Sequence, residues 1–254
     1  MKSLLLLLGL SLGLAALPAG ASDTRLFEMR TYYAASGKTD ALLARFRDHT
    51  VKLFARHGME NIGYWVPLDE KDGTNRLVYV LAYPNRTARE QAWKDFSADP
   101  EWQTVARESE KGGRLVEKVE QRFLTATDYS PAIAPAVKSP RVFELRTYTA
   151  TPGKLGDLNA RFRDHTVKLF ANHGIVSVAY WTPETGQPGA DDTLVYLVAH
   201  PSRAAAAEAF KAFGADPAWQ AARKASEEKA GGSLTVKDGV KSVFLQATDF
   251  SPTR

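Results

Sequence analysis

The chain has 254 residues, a formal charge of +4 and no cysteine, which excludes thiol chemistry and cysteine-ligated metal. Its 33 basic and 29 acidic residues are interspersed rather than blocked, so no nucleic-acid footprint is present.

The first element in chain order is MKSLLLLLGLSLGLAALPAGAS: Lys2, an apolar run over residues 4–17, then the small-x-small site Ala19-Gly20-Ala21. This pattern predicts a signal peptide over residues 1–21, cleaved after Ala21, and export to the periplasm or the exterior. The run is short for a membrane span, and no later run approaches one, so no membrane association is expected once the signal is removed.

Residues 27–33, FEMRTYY, alternate as a strand does, with Phe27, Met29 and Thr31 on one face and Glu28, Arg30 and Tyr32 on the other. A helix follows, on which Leu42, Leu43, Phe46, Thr50, Leu53, Phe54 and His57 fill an arc of roughly 120°. Arg45, Asp48, Lys52 and Arg56 lie opposite, and Gly58 suits the stop. Strands are predicted near residues 62–66 and over 77–83, separated by a turn-rich loop at 69–75. A helical region at 86–111 is broken at Asp99-Pro100, and a last strand lies near 121–127. The order β-α-β-β-α-β is the ferredoxin-like split motif.

The second half replays the first. FEMRTYYAASGK at 27–38 returns as FELRTYTATPGK at 143–154, LVYVLAYP as LVYLVAHP, ADPEWQ as ADPAWQ, and FLTATDYSP as FLQATDFSP. ARFRDHTVKLFARHG at 44–58 returns as ARFRDHTVKLFANHG at 160–174 with one mismatch in fifteen, charged positions included. A helix kept alike on all its faces is expected to be held on all of them. The period is too long for a solenoid and marks a tandem duplication: domains at 22–131 and 141–254, joined by a proline-rich linker at 132–140. With both helices on one face of each sheet, the other face needs a cover, and the second copy supplies it through a pseudo-two-fold.

Histidine is the first place to seek chemistry. His49 pairs with His165 across the copies and His57 with His173. His57, in the last helical turn, reads as a partner of the helix dipole, whereas His49 and His165 are candidate pocket-lining bases. His49 and His57 are eight residues apart, about 12 Å of helix rise, which excludes their sharing a metal. No metal site and no cofactor is expected. In the first strand of each copy, Glu28, Arg30 and Tyr32, and likewise Glu144, Arg146 and Tyr148, share a face. If the apolar alternates meet the helices, these polar residues point into the seam between the sheets. There they form either a Glu–Arg lattice or an arginine-lined cavity for an acidic ligand. One member of each pair Tyr64-Trp65 and Tyr180-Trp181 faces inward, as core or as a pocket wall. Asp99 and Asp216 each precede Pro and read as helix caps, with Trp102 and Trp219 as anchors one turn later.

The motifs FELRTYT, F-x-x-H-x-x-x-L-F-x-x-H-G, YW, the A-x-P strand end and ADP-x-W resemble those of the NIPSNAP family, twice over nearly the whole mature chain. The resemblance implies an α+β fold: two tandem ferredoxin-like βαββαβ repeats pairing into an intrachain dimeric α+β barrel. It implies no single reaction, because related barrels include cofactor-independent monooxygenases, haem-degrading enzymes and small-ligand binders. Eukaryotic members carry mitochondrial targeting, whereas this chain carries an export signal. The expected function is binding of a small hydrophobic or acidic ligand, or of a protein partner, with a homo-oligomer allowed. The alternative is a cofactor-independent oxygenase or isomerase using His49 or His165 as base and arginine as anion clamp.

Overall fold

A computed structural model describes residues 23–69, 75–133 and 141–254. Residues 1–22, which include the expected signal peptide at 1–21, residues 70–74 of the expected turn-rich loop and residues 134–140 of the expected linker lie outside the described residues. The first repeat runs β1 (Leu26–Ala34), α1 (Thr39–Arg45), a π-helical turn (Phe46–Thr50), α2 (Val51–Arg56), β2 (Glu60–Pro67), β3 (Arg76–Tyr83), α3 (Arg86–Ala98), α4 (Pro100–Ser109) and β4 (Val116–Ala126). The second runs β5 (Val142–Ala150), α5 (Leu155–Arg161), a π-helical turn (Phe162–Thr166), α6 (Val167–Asn172), β6 (Val176–Pro183), β7 (Thr193–His200), α7 (Arg203–Ala215), α8 (Pro217–Lys229) and β8 (Thr235–Ala247).

Each repeat forms an antiparallel sheet, β4-β1-β3-β2 and β8-β5-β7-β6, and the two close into an eight-stranded barrel. Closure rests on two short seams of three residue pairs each, Trp65–Pro67 of β2 against β8 and Leu124–Ala126 of β4 against β6. Three cores follow from this layering. The barrel interior mixes both repeats: Phe27, Trp65, Val78 and Val80 meet Phe143, Trp181, Val195 and Leu197. Trp65 packs on Phe143 and Trp181 on Phe27, ring centroids 5.7 and 5.9 Å apart, so each indole reaches past a seam onto the other repeat. Outside the barrel, each sheet carries its own helices over a second core, around Phe46, Tyr64 and Tyr79 in the first repeat and Phe162, Tyr180 and Tyr196 in the second.

The helix expected after β1 is not uniform. The Val51 N–H reaches back five residues to the Phe46 carbonyl, and Val167 does the same to Phe162. Buried Thr50 and Thr166 bond their hydroxyls to the carbonyls of Arg45 and Arg161 at 3.1 Å, which occupies the acceptors a regular turn would use. The extra residue rotates the face, so Arg45, expected in water, is buried. Its Nη1 lies 3.1 Å from Glu110, with its guanidinium over the Trp102 ring.

The repeats also exchange their C-terminal tails. After β4, Tyr129 stacks on Phe162 of the second repeat and bonds Asn159, while Ser130 accepts the Tyr180 N–H. After β8, Phe250 packs on Tyr64 of the first repeat and Ser251 accepts the Tyr64 N–H. Ile133, which the sequence places in the linker, is buried in the barrel interior.

Candidate functional site

The strand-one clusters sit on the opposite side from that expected. Phe27 and Met29 face the barrel interior, and Glu28, Arg30 and Tyr32 face the helices, as do Arg146 and Tyr148 in the second repeat. The alternation holds, but both faces of these strands are covered. The barrel interior takes the apolar set because two sheets must interdigitate there, whereas polar side chains under the helices find partners. No lattice runs between the sheets through these groups.

In the first repeat Glu28 is saturated. Arg30 donates at 2.6 Å, Arg89 donates twice at 2.7 and 2.9 Å, and Tyr83 and Trp93 donate at 3.1 and 3.0 Å. Burial alone would raise the Glu28 carboxyl, but the Arg89 hydrogen bonds and the Arg30 charge outweigh it and hold the group below the ordinary carboxylate range. In the second repeat Glu144 receives Arg146 at 2.5 Å, while the residues matching Tyr83, Arg89 and Trp93 are His200, Ala206 and Phe210. The His200 ring is fully buried, its Nε2 3.5 Å from Glu144. Both ring nitrogens and Glu144 Oε2 have no hydrogen-bond partner among the described residues.

The paired histidines divide by role. His57 Nε2 lies 2.6 Å from Asp99, and His173 Nε2 lies 2.8 Å from Asp216. Each aspartate caps the helix that its proline opens, accepting backbone N–H groups at 2.8 Å. These histidines therefore bridge two helices, a bond the dipole argument did not contain. His49 and His165 are exposed on the π-helical turns, beside external grooves of about 580 and 180 Å³ between the first helix of each repeat and α4 or α8. The arginine in the first groove, Arg45, is engaged by Glu110, so it does not stand free as an anion clamp. Tyr64 and Tyr180 pack under the helices, and Trp65 and Trp181 are core of the barrel interior.

A pocket of about 360 Å³ opens at one mouth of the barrel, where β4 parts from β6. Met29 and Thr31 of β1, Arg122 of β4, and Leu145 and Thr147 of β5 line it, with Pro188 at the rim. Arg122 stands opposite Met29 in the β1–β4 register, which points its side chain inward with Leu124. It is half-buried and makes no hydrogen bond or ion pair among the described residues. Its neighbour Glu120 is engaged instead by Lys118 at 2.5 Å and Tyr33 at 2.9 Å. None of the expected pocket residues Arg30, Tyr32, Tyr64, Trp65, Arg146, Tyr148, Tyr180 and Trp181 lines this mouth. The signal for Arg122 was in the repeat itself: the matching position of the second copy is Val243.

Two four-stranded sheets closed face to face, with all helices outside, make the molecule a single-chain dimeric α+β barrel. The NIPSNAP family model matches residues 27–131 and 143–252, and the chain belongs to the NIPSNAP family, with two tandem domains. A NIPSNAP family protein of unknown function from Agrobacterium tumefaciens str. C58 is 24% identical, with a TM-score of 0.38, over 42% of this chain and 93% of that one. A NIPSNAP domain protein from Burkholderia xenovorans is 25% identical, with a TM-score of 0.37, over 42% and 98%. A proposed monooxygenase from Lactobacillus acidophilus NCFM shares the fold over 89% of this chain and 94% of its own, at 11% identity and a TM-score of 0.56. No curated protein matches the chain.

Proposed function

We propose that this exported protein binds a small amphipathic anion, an organic carboxylate with an apolar body, at the barrel mouth. The observation that carries the reading is Arg122: a guanidinium without a partner among the described residues, on the inner wall of a pocket whose floor is Met29 and Leu145. Arginine keeps its charge at any working pH and offers a planar fork that matches a carboxylate. Thr31 and Thr147 add hydroxyls on facing strands. The volume lies at the small end of ligand sites, which run from about 300 to 1,000 Å³. The oxygenase or isomerase alternative has weaker support, because His49 and His165 are exposed and far from this mouth in the fold.

The test is calorimetry with benzoate, phenylacetate and hexanoate against their neutral alcohols, on the wild type and on Arg122→Val. Valine already occupies the matching place in the second copy, so the variant keeps the strand. Carboxylates are expected to bind the wild type in preference to alcohols. Loss of one charge-assisted contact, about 1.5–3 kcal/mol, should weaken them roughly 10- to 100-fold in Arg122→Val. Equal binding of acids and alcohols, or no change in the variant, would discard the reading.

A further inference from the structure

The barrel closes along a short seam beside β4 and leaves the rest of that strand's edge bare. β6 pairs with β4 only at Leu124–Ala126, and the Glu184 N–H reaches the Phe123 carbonyl. N-terminal to that point β4 pairs with β1 on one side alone, so the outer edge of residues 117–122 has no backbone partner among the described residues. Lys118, Val119 and Glu120 are all exposed there, Val119 at 43%. A bare edge is a template for another strand, and proteins commonly blunt it with a bulge. β8, the matching strand, is blunted in this way. Its register against β5 jumps between Tyr148 and Ala150, and Asp238 sits in the left-handed region at φ 57°. β4 has a smaller irregularity, one extra residue at Glu117, and is regular from Lys118 onward.

We propose that β4 docks on β4 of a second copy of this chain, antiparallel about a two-fold axis at Val119, joining two barrels edge to edge. The register follows from charge. In an antiparallel pair related by a two-fold, one residue faces its own copy and its neighbours cross. An axis at Lys118 or Glu120 would set like charges against each other, which is destabilising. An axis at Gln121 would call on Phe123, whose carbonyl Glu184 already holds. With the axis at Val119, Lys118 faces the partner's Glu120 and Glu120 faces the partner's Lys118, while the two valines meet on the opposite face. Within one chain Lys118 and Glu120 are 2.5 Å apart as strand neighbours, and docking exchanges that pair for two across the strands. β8 offers no such code, because Gly239 and Lys241 flank Val240. Three residue pairs are few, yet the two seams that close this barrel have three each. The docking rests on the strand edge and does not depend on Arg122.

Sedimentation velocity of the full mature chain from about 5 to 500 μM should show a reversible monomer–dimer equilibrium, weak because so short a contact buries less than the ~1,200 Å² of a standard interface. High salt should weaken it further. Lys118→Glu alone and Glu120→Lys alone each set like charges opposite one another twice, and each should stay monomeric. An equimolar mixture of these two variants should dimerise again, as should a chain carrying both exchanges. The proposal is overturned if the wild type is monomeric at every concentration, or if either single variant dimerises as the wild type does. It is equally overturned if a mixture of the two folded variants is no heavier than its components. Where a single variant fails to fold, Val119→Lys takes its place, since it sets two ammonium groups at the axis; a dimer that survives that change overturns the proposal as well.

Discussion

Glu28 accepts five hydrogen bonds from four side chains while wholly buried, and it is the only carboxylate in reach of both Arg30 and Arg89 among the described residues. Replacing it with glutamine leaves two guanidinium groups facing each other without a counter-charge. Removing one partner of a buried pair costs about 3–5 kcal/mol, and Glu28→Gln is expected to fall in that range by urea unfolding. Glu144→Gln releases only Arg146 and should cost clearly less; equal losses would show that the extra donors of the first repeat contribute nothing. The spacing Glu-x-Arg-x-Tyr was legible in the sequence, and so was its strand face. Which side of the sheet that face looked to was not, because alternation reads the same when both sides are covered. Nor could spacing reveal Arg89, which reaches Glu28 from a helix 61 residues further along the chain. The asymmetry was nonetheless written there: His200 is the one histidine whose counterpart, Tyr83, is not a histidine.

At the scale of elements, the single mismatch in the repeated helix has a structural consequence. Arg56 hydrogen-bonds both Asp99 and Glu101, whereas Asn172 and Ala218 occupy the matching places in the second repeat. Asp99 is therefore held below its ordinary range first by the His57 hydrogen bond and then by Arg56, with burial opposing; Asp216 has His173 but no such arginine. A carboxylate depressed in the folded state stabilises it above the unfolded value of about 3.9, and that contribution is lost as pH falls through the folded value. Asp99→Asn keeps a side chain able to cap the helix while removing the charge. Its melting temperature should lie below the wild type at pH 7, and the gap should start to close only below about pH 4 and narrow progressively as pH falls toward the depressed folded value, with a smaller gap for Asp216→Asn. A gap that persists undiminished into acid would assign the effect to packing rather than charge. The cap and the Pro-initiated helix were readable from Asp-Pro-x-Trp. The π-helical turn was not, since a wheel drawn at a uniform 3.6 residues per turn cannot show where one extra residue enters. Arg45 was misplaced for that reason.

Across the whole molecule, the near identity of the two first helices finds its explanation in the tail exchange. Arg47 grips Asp249 with two hydrogen bonds at 2.6 and 2.8 Å, and Arg163 grips Asp128 at 2.8 and 2.7 Å. Each guanidinium also lies 5.5 Å from the ring that follows its aspartate, Phe250 or Tyr129. One helix thus packs its apolar face on its own sheet and offers its outer arginine to the tail of the other repeat. Both faces are constrained, in both copies, by one pseudo-two-fold. Two copies of the helix in the sequence showed that something holds its outward face; the partner was hidden because it comes from the far end of the opposite repeat. These pairs are exposed, and exposed pairs contribute little individually and are screened by salt. Arg47→Ala with Arg163→Ala should therefore lower the melting temperature by only a few degrees in low salt, and by less at 1 M salt. The native mass should stay unchanged, since both contacts lie within one chain. Truncation before Asp249 removes Phe250 from Tyr64 and the Ser251 hydroxyl from the buried Tyr64 N–H, so it should cost more than the double substitution and should not recover in high salt. If the double variant instead changed the mass, the arginines would be holding a second copy, and the reciprocal tails would be the smaller part of what closes this barrel.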